Sequence, residues 1–139
     1  MGKKPLKHTY RKHCPKNSQD NLAFRARIVS NALKDDRLQQ AMWKMSQQDF
    51  LFWLNVFVWT YDAKGDKHTE LGYESPHMPF ISFPYQDDHA VELQEAIEQG
   101  FNLAVEKSRD MGESWLIISM FVWFWLFHGA GNDFLLGSR

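Results

Sequence analysis

Apolar residues along this chain fall into blocks of different period, and each block predicts a different element. Between Asp20 and Leu38 the positions Leu22, Ala23, Ala26, Ile28, Val29, Ala32 and Leu33 recur at helical spacings. A polar cluster, SQQD at residues 46–49, then offers a helix cap ahead of FLFWLNVFVWT at 50–60. That run is too continuous for periodicity to assign, but its length and cap predict a helix buried on most sides. Residues 61–79 are rich in Asp, Gly, Glu, Ser and Pro and read as a loop. PFISFP at 79–84 reads as a short extended segment between prolines. Asp87 or Asp88 then caps an amphipathic helix with Ala90, Leu93 and Ile97 on one face, and Gly100 stands where a left-handed C-cap belongs.

FNLAV at 101–105 predicts a short central strand, followed by a glycine-containing loop and a helix to about Phe127. Gly129 and Gly131 mark a turn, and Phe134 to Leu136 predicts another strand. Helix, strand, loop, helix, strand is the order of a βαβ unit and of a parallel sheet. The expected fold class is therefore α/β: the front part of a P-loop NTPase sheet, preceded by helices. Two parallel strands would leave an open edge and an uncovered face, so the sequence reads as the front of a larger domain. Its expected divisions are a basic flexible arm (1–18), a helical lead-in with its loop (19–80) and a partial P-loop ATPase domain (81–139).

Composition sharpens this picture in a few places. The chain has 139 residues, 44% of them hydrophobic, with 11 Phe and 6 Trp, which excludes a disordered chain. Net charge is −1 but uneven: residues 1–16 hold six of the 16 Lys and Arg and no acid, leaving ten basic against 17 acidic residues, a net of −7, in the remainder. Such an arm can touch phosphates or acidic partners, or serve as a solubilising tail. Cys14 is the only cysteine, so no internal disulfide forms. No apolar core follows the N-terminal lysines, so a signal peptide is not expected. WLIISMFVWFWLF at 115–127 is 13 residues long, short of the roughly 20 a membrane span needs. The expectation is an intracellular protein without membrane contact.

Chemistry concentrates at EKSRDMGESW, residues 106–115. The standard phosphate loop is G-x-x-x-x-G-K-[ST]. With Gly112 as the second glycine and Ser114 as the hydroxyl residue, Lys107 falls on the first glycine and Glu113 on the lysine. The cation has moved from the end of the loop to its start. Loop N–H groups and a helix N-terminus attract phosphate, and Gly112 permits close backbone approach. Ser114 would ligate the Mg²⁺ that accompanies ATP. Lys107 and Arg109 would neutralise phosphate oxygens, with Glu113 turned away from the anion. Asp87, Asp88 and Glu106 read as caps and loop acids. His8, His13 and Cys14 lack a fourth metal ligand, and His77 and His128 stand alone.

The same segment resembles the deviant Walker A loop of the large terminase subunits of tailed bacteriophages, the ATP-driven motors that package DNA into proheads. PFISFPYQ at 79–86 resembles that family's adenine-recognition segment, with Gln86 lying 21 residues before Lys107. FLFWLNVFVWTYD at 50–62 resembles the apolar helix leading into it, and LLGSR at 135–139 the strand after the Walker A helix. The resemblance implies that Tyr85 stacks on adenine and Gln86 hydrogen-bonds its edge. It implies nucleotide contact from Lys107, Ser108, Arg109, Asp110, Met111, Gly112, Glu113 and Ser114, with Lys107 and Arg109 as catalytic cations and Ser114 on Mg²⁺. It further implies ATP and Mg²⁺ as cofactors, double-stranded DNA, a portal protein and a small terminase subunit as partners, and the cytoplasm of a bacterial host as location. A parent ATP hydrolase would also carry Walker B acids and a nuclease domain. Neither is present in this sequence, so the implication is nucleotide binding without turnover. The alternative is a non-catalytic prophage remnant or a helical interaction protein that self-associates.

Overall fold

The computed structural model describes residues 8–61, 76–109, 111–129, 131 and 133–137. A short 3-10 turn, Tyr10–His13, precedes α1 (Ser18–Ala32), α2 (Asp36–Gln48) and α3 (Phe50–Phe57). Two three-residue strands follow, β1 (Trp59–Tyr61) and β2 (His77–Pro79), and then α4 (Pro84–Gln99) and α5 (Glu113–Phe127). The strands pair antiparallel, with Trp59 opposite Pro79 and Tyr61 opposite His77.

This overturns the expected parallel α/β sheet. Among the described residues 63% are helical, in five α-helices and a short 3-10 turn, and the only sheet is this two-stranded antiparallel one. Residues 101–108 are irregular, with Phe101 and Val105 exposed, and Leu135 in the other expected strand is 97% exposed. A strand needs a hydrogen-bonded neighbour, and a parallel one needs cover on both faces. Neither segment has a strand beside it among the described residues. The large apolar side chains instead bury one another in a helical core.

That core is organised by α3, which is apolar at every position except Asn55 and is buried on opposite sides. Phe50, Leu51 and Leu54 pack with Leu116, Met120, Trp123, Phe124 and Phe127 of α5 and with Ala90 of α4. Phe52 and Val56 face the other way, toward Cys14, Phe24, Ile28, Met42 and Met45. Trp123 donates its indole N–H to the Ser46 carbonyl at 2.7 Å, so a large buried ring keeps its polar atom satisfied.

The expected helix from Asp20 to Leu38 is split. α1 ends at Ala32, and Asp35 caps a separate α2 by accepting from the Arg37 and Leu38 amides. α4 begins at Pro84, a residue suited to a first helical turn, rather than at Asp87 or Asp88. It ends at Gly100, whose φ of 74° is left-handed.

Of the basic arm, the part from His8 onward is docked. Buried Asp49 caps α3 through the Phe52 amide and also accepts from the Tyr10 and Arg11 amides at 2.8 and 3.0 Å and from His8. Burial alone would raise the Asp49 pKa, but these hydrogen bonds and the His8 ring outweigh it, so the carboxyl sits below its ordinary value. Cys14 is buried beside it, and its thiol is pushed up to about 12, chiefly by burial and then by the Asp49 charge. The Arg25 guanidinium, 3% exposed, spans three elements. It donates to Asn21 Oδ1 at 2.7 Å, Val58 O at 2.7 Å and Phe80 O at 2.9 Å. Among the described residues no helix is long and apolar enough to cross a membrane.

Candidate nucleotide site

The start of α4 is held by a polar cluster built on buried Asn55 and Ser82. Lys16 Nζ reaches Ser82 Oγ at 2.8 Å, Ser82 O at 2.9 Å, Asn55 Oδ1 at 3.2 Å and Asp87 Oδ2 at 3.4 Å. Asn55 donates to Ser82 Oγ at 2.9 Å and accepts from the Ser82 amide at 3.0 Å, while Ser82 Oγ in turn donates to Asp87 Oδ1. The lysine of the arm, a buried amide on α3 and an acid of α4 therefore fix the segment that presents Tyr85 and Gln86.

Gln86 is buried, and both ends of its side-chain amide are used. Oε1 accepts from the Phe83 amide at 3.0 Å, satisfying a free N–H at the helix start. Nε2 donates to the Met111 carbonyl at 2.7 Å, across 25 residues of sequence. This bond brings the expected adenine segment against the expected phosphate loop. Tyr85 is exposed, and its ring stacks on Phe83 with centroids 5.7 Å apart and planes within 7°.

At the loop, Gly112 has φ 72° and ψ 16° and forms the N-cap of α5, with the Leu116 amide donating to its carbonyl at 3.1 Å. A Cβ at this position would lie 2.8 Å from Gln86 Nε2. The glycine is thus required by backbone conformation and by the buried amide beside it, a reason different from phosphate approach. No side chain caps α5, so its first-turn N–H groups remain available to an anion.

Lys107, Ser108 and Arg109 are exposed, and Lys107 Nζ lies 3.4 Å from the Ser108 carbonyl. Ser114 is exposed on the first turn of α5, and Asp110 lies outside the described residues. Glu113, expected to turn away from an anion, is held by His89 Nε2 at 2.5 Å.

A cavity of about 350 Å³ lies between α4 and the loop, lined among others by Tyr85, Gln86, His89, Lys107, Met111 and Glu113. Glu92 and Glu106 also line it, so its carboxylates outnumber its cations. Arg109 and Ser114 do not reach it. The free helix start and Lys107 fit a phosphate. Among the described residues no group of three His, Cys, Asp or Glu could hold a metal ion.

Reasoning from sequence missed His89, Glu92, Phe83 and Trp115, which line this cavity or a smaller one beside it. His89 and Glu92 lie three and six residues beyond Gln86, and the one-turn offset from Gln86 to His89 was the available signal.

No family model matches the chain, and neither the curated proteins nor the solved structures contain a significant match to it.

Proposed function

We propose that this protein binds ATP with Mg²⁺ between the 82–89 segment and the 106–114 loop, as the nucleotide-binding part of a DNA-packaging motor of the large-terminase kind. The observation that carries the reading is the Gln86–Met111 hydrogen bond, which joins the two segments that the terminase resemblance singles out. The cavity beside that bond and the uncapped start of α5 support it. Lys107, which lines the cavity, would contact phosphate, and Gln86 the base. Hydrolysis in such a motor also needs paired acids that polarise water and hold the metal; the reading concerns nucleotide binding. Double-stranded DNA, a portal protein and a small terminase subunit would be partners of the assembled motor.

The test is a titration of a fluorescent ATP analogue with Mg²⁺, alongside the shift in unfolding temperature that a native-state ligand produces. Saturable binding that Lys107→Ala weakens at least tenfold supports the reading. Equal affinity of the two proteins would remove Lys107 from the site.

One observation favours a second reading, a helical interaction protein. An apolar groove of about 500 Å³, lined by Leu33, Met42, Trp43, Trp53, Leu126 and Phe127, opens between the helices. Unchanged unfolding temperature with Mg-ATP, together with concentration-dependent mass by light scattering, would favour this reading.

A further inference from the structure

A second cavity, of about 160 Å³, lies where the starts of α4 and α5 meet the β1–β2 hairpin. Phe83 and Trp115 line it, with Thr60 and Pro79 from the hairpin and Gln86 and Gly112 from the proposed site. Both aromatic rings are well exposed, Phe83 at 59% and Trp115 at 42%, although each sits beside an otherwise closed core. Tyr85 spends one face of its ring on Phe83 and lines the larger cavity, not this one. Gln86 lines both, so the two spaces adjoin at its amide.

The small cavity has the room of about five waters at ~30 Å³ each, enough for one planar heterocycle but not for a whole nucleotide. Its walls are apolar apart from Thr60 and the Gln86 amide. A primary amide has two donor hydrogens and acceptor capacity for more than one bond. The hydrogen bonds to Phe83 and Met111 use one hydrogen and one lone pair, leaving one hydrogen and one lone pair for a ligand. That pattern complements the adjacent acceptor and donor on the edge of an aminopurine. Aromatic rings bind bases by stacking whatever the sequence context.

We propose that Phe83 and Trp115, rather than Tyr85, form the base slot of this protein, with the phosphates lying toward Lys107 in the larger cavity. This assignment rests on the nucleotide reading above and names the residues that would give it base specificity. Phe83 stands at the N-cap of α4 and Trp115 in the first turn of α5, so a bound base would bridge the two helix starts.

The test compares Mg-ATP with Mg-tripolyphosphate, which has the phosphates but no base, on wild type, Phe83→Ala, Trp115→Leu and Trp115→Phe. Loss of one stack should weaken Mg-ATP about tenfold or more. Tripolyphosphate affinity should stay the same, which also reports that the variants fold, and Trp115→Phe should recover most of the ATP affinity. Mg-ATP binding that these changes leave untouched, or that falls in parallel with tripolyphosphate, would overturn the slot while leaving the nucleotide reading intact. Wild-type protein that binds neither compound would overturn both. Binding that instead falls tenfold only in Tyr85→Ala would return the base to the larger cavity and overturn the slot.

Discussion

Replacing Gly112 by alanine should cost about 1.5–3.5 kcal/mol, and a second substitution should return part of it. One contribution comes from the backbone. At φ 72° and ψ 16° an L-residue with a Cβ is disfavoured by roughly 1–2 kcal/mol. The other comes from Gln86 Nε2, which the new methyl would meet at 2.8 Å. The end of a flexible side chain normally yields at little cost, but this amide is tied to Phe83 and Met111. Moving it sacrifices the 2.7 Å bond to Met111, worth about 0.5–1.5 kcal/mol net.

Only the second contribution depends on Gln86. Gly112→Ala made in a Gln86→Ala background should therefore cost only the backbone share, about 1–2 kcal/mol. The coupling of about 0.5–1.5 kcal/mol exceeds the ~0.3–0.5 kcal/mol within which unconnected sites add. Urea denaturation of the wild type, both single variants and the double variant completes the cycle. Strict additivity would refute the argument, because it would mean that Gln86 does not press on Gly112. A loss below about 1 kcal/mol for Gly112→Ala alone would refute the left-handed backbone as well.

Two further predictions concern the polar groups that tie the helices together. Arg25→Met should destabilise by about 1–3 kcal/mol, since it leaves the buried Phe80 carbonyl without the guanidinium that satisfies it, while the Val58 carbonyl keeps the Phe80 amide; a denaturation midpoint within error of wild type would show that water or a shifted backbone replaces it. Asp49, with its pKa below the ordinary value when folded, gives stability that is fully present above its unfolded pKa of about 3.9 and is lost as pH falls through the lower folded value. Wild-type stability should therefore fall on acidification below about pH 4 more steeply than that of Asp49→Asn, measured as denaturation midpoints from pH 6 downward. Parallel curves for the two proteins would rule out Asp49 as a source of acid sensitivity.

Much of the helical framework was legible from the order of residues. The apolar runs at 50–60 and 115–127 supply α3 and α5, which pack together through Phe50, Leu51, Leu54, Leu116, Met120 and Trp123, although Ile118, Val122, Trp125 and Leu126 of α5 stay exposed. Gly100 follows the last polar turn of α4 and takes the left-handed cap its type favours. The loop at 106–112 precedes a helix because an uncapped glycine and an acid open it. These are short-range effects, governed by neighbours a few positions away.

Tertiary structure decided the rest, because strands, buried charges and sites depend on partners far along the chain. FNLAV has the composition of a strand, but a strand exists only where another backbone lies alongside to take its hydrogen bonds, and among the described residues none does. Trp59 and Thr60, expected as the tail of a helix, and Tyr61, expected in a loop, became β1 because His77–Pro79 pairs with them. The basic arm could be read from sequence as a solubilising tail or as a contact for phosphates or acidic partners; in the structure Lys16 and the backbone at Tyr10 and Arg11 meet acids of the same chain that are distant in sequence. Gln86 and Gly112 could each be chosen from the sequence, but only folding revealed that they touch. A hydrophobic pattern states which side chains leave water, whereas packing and hydrogen-bond partners determine where they go.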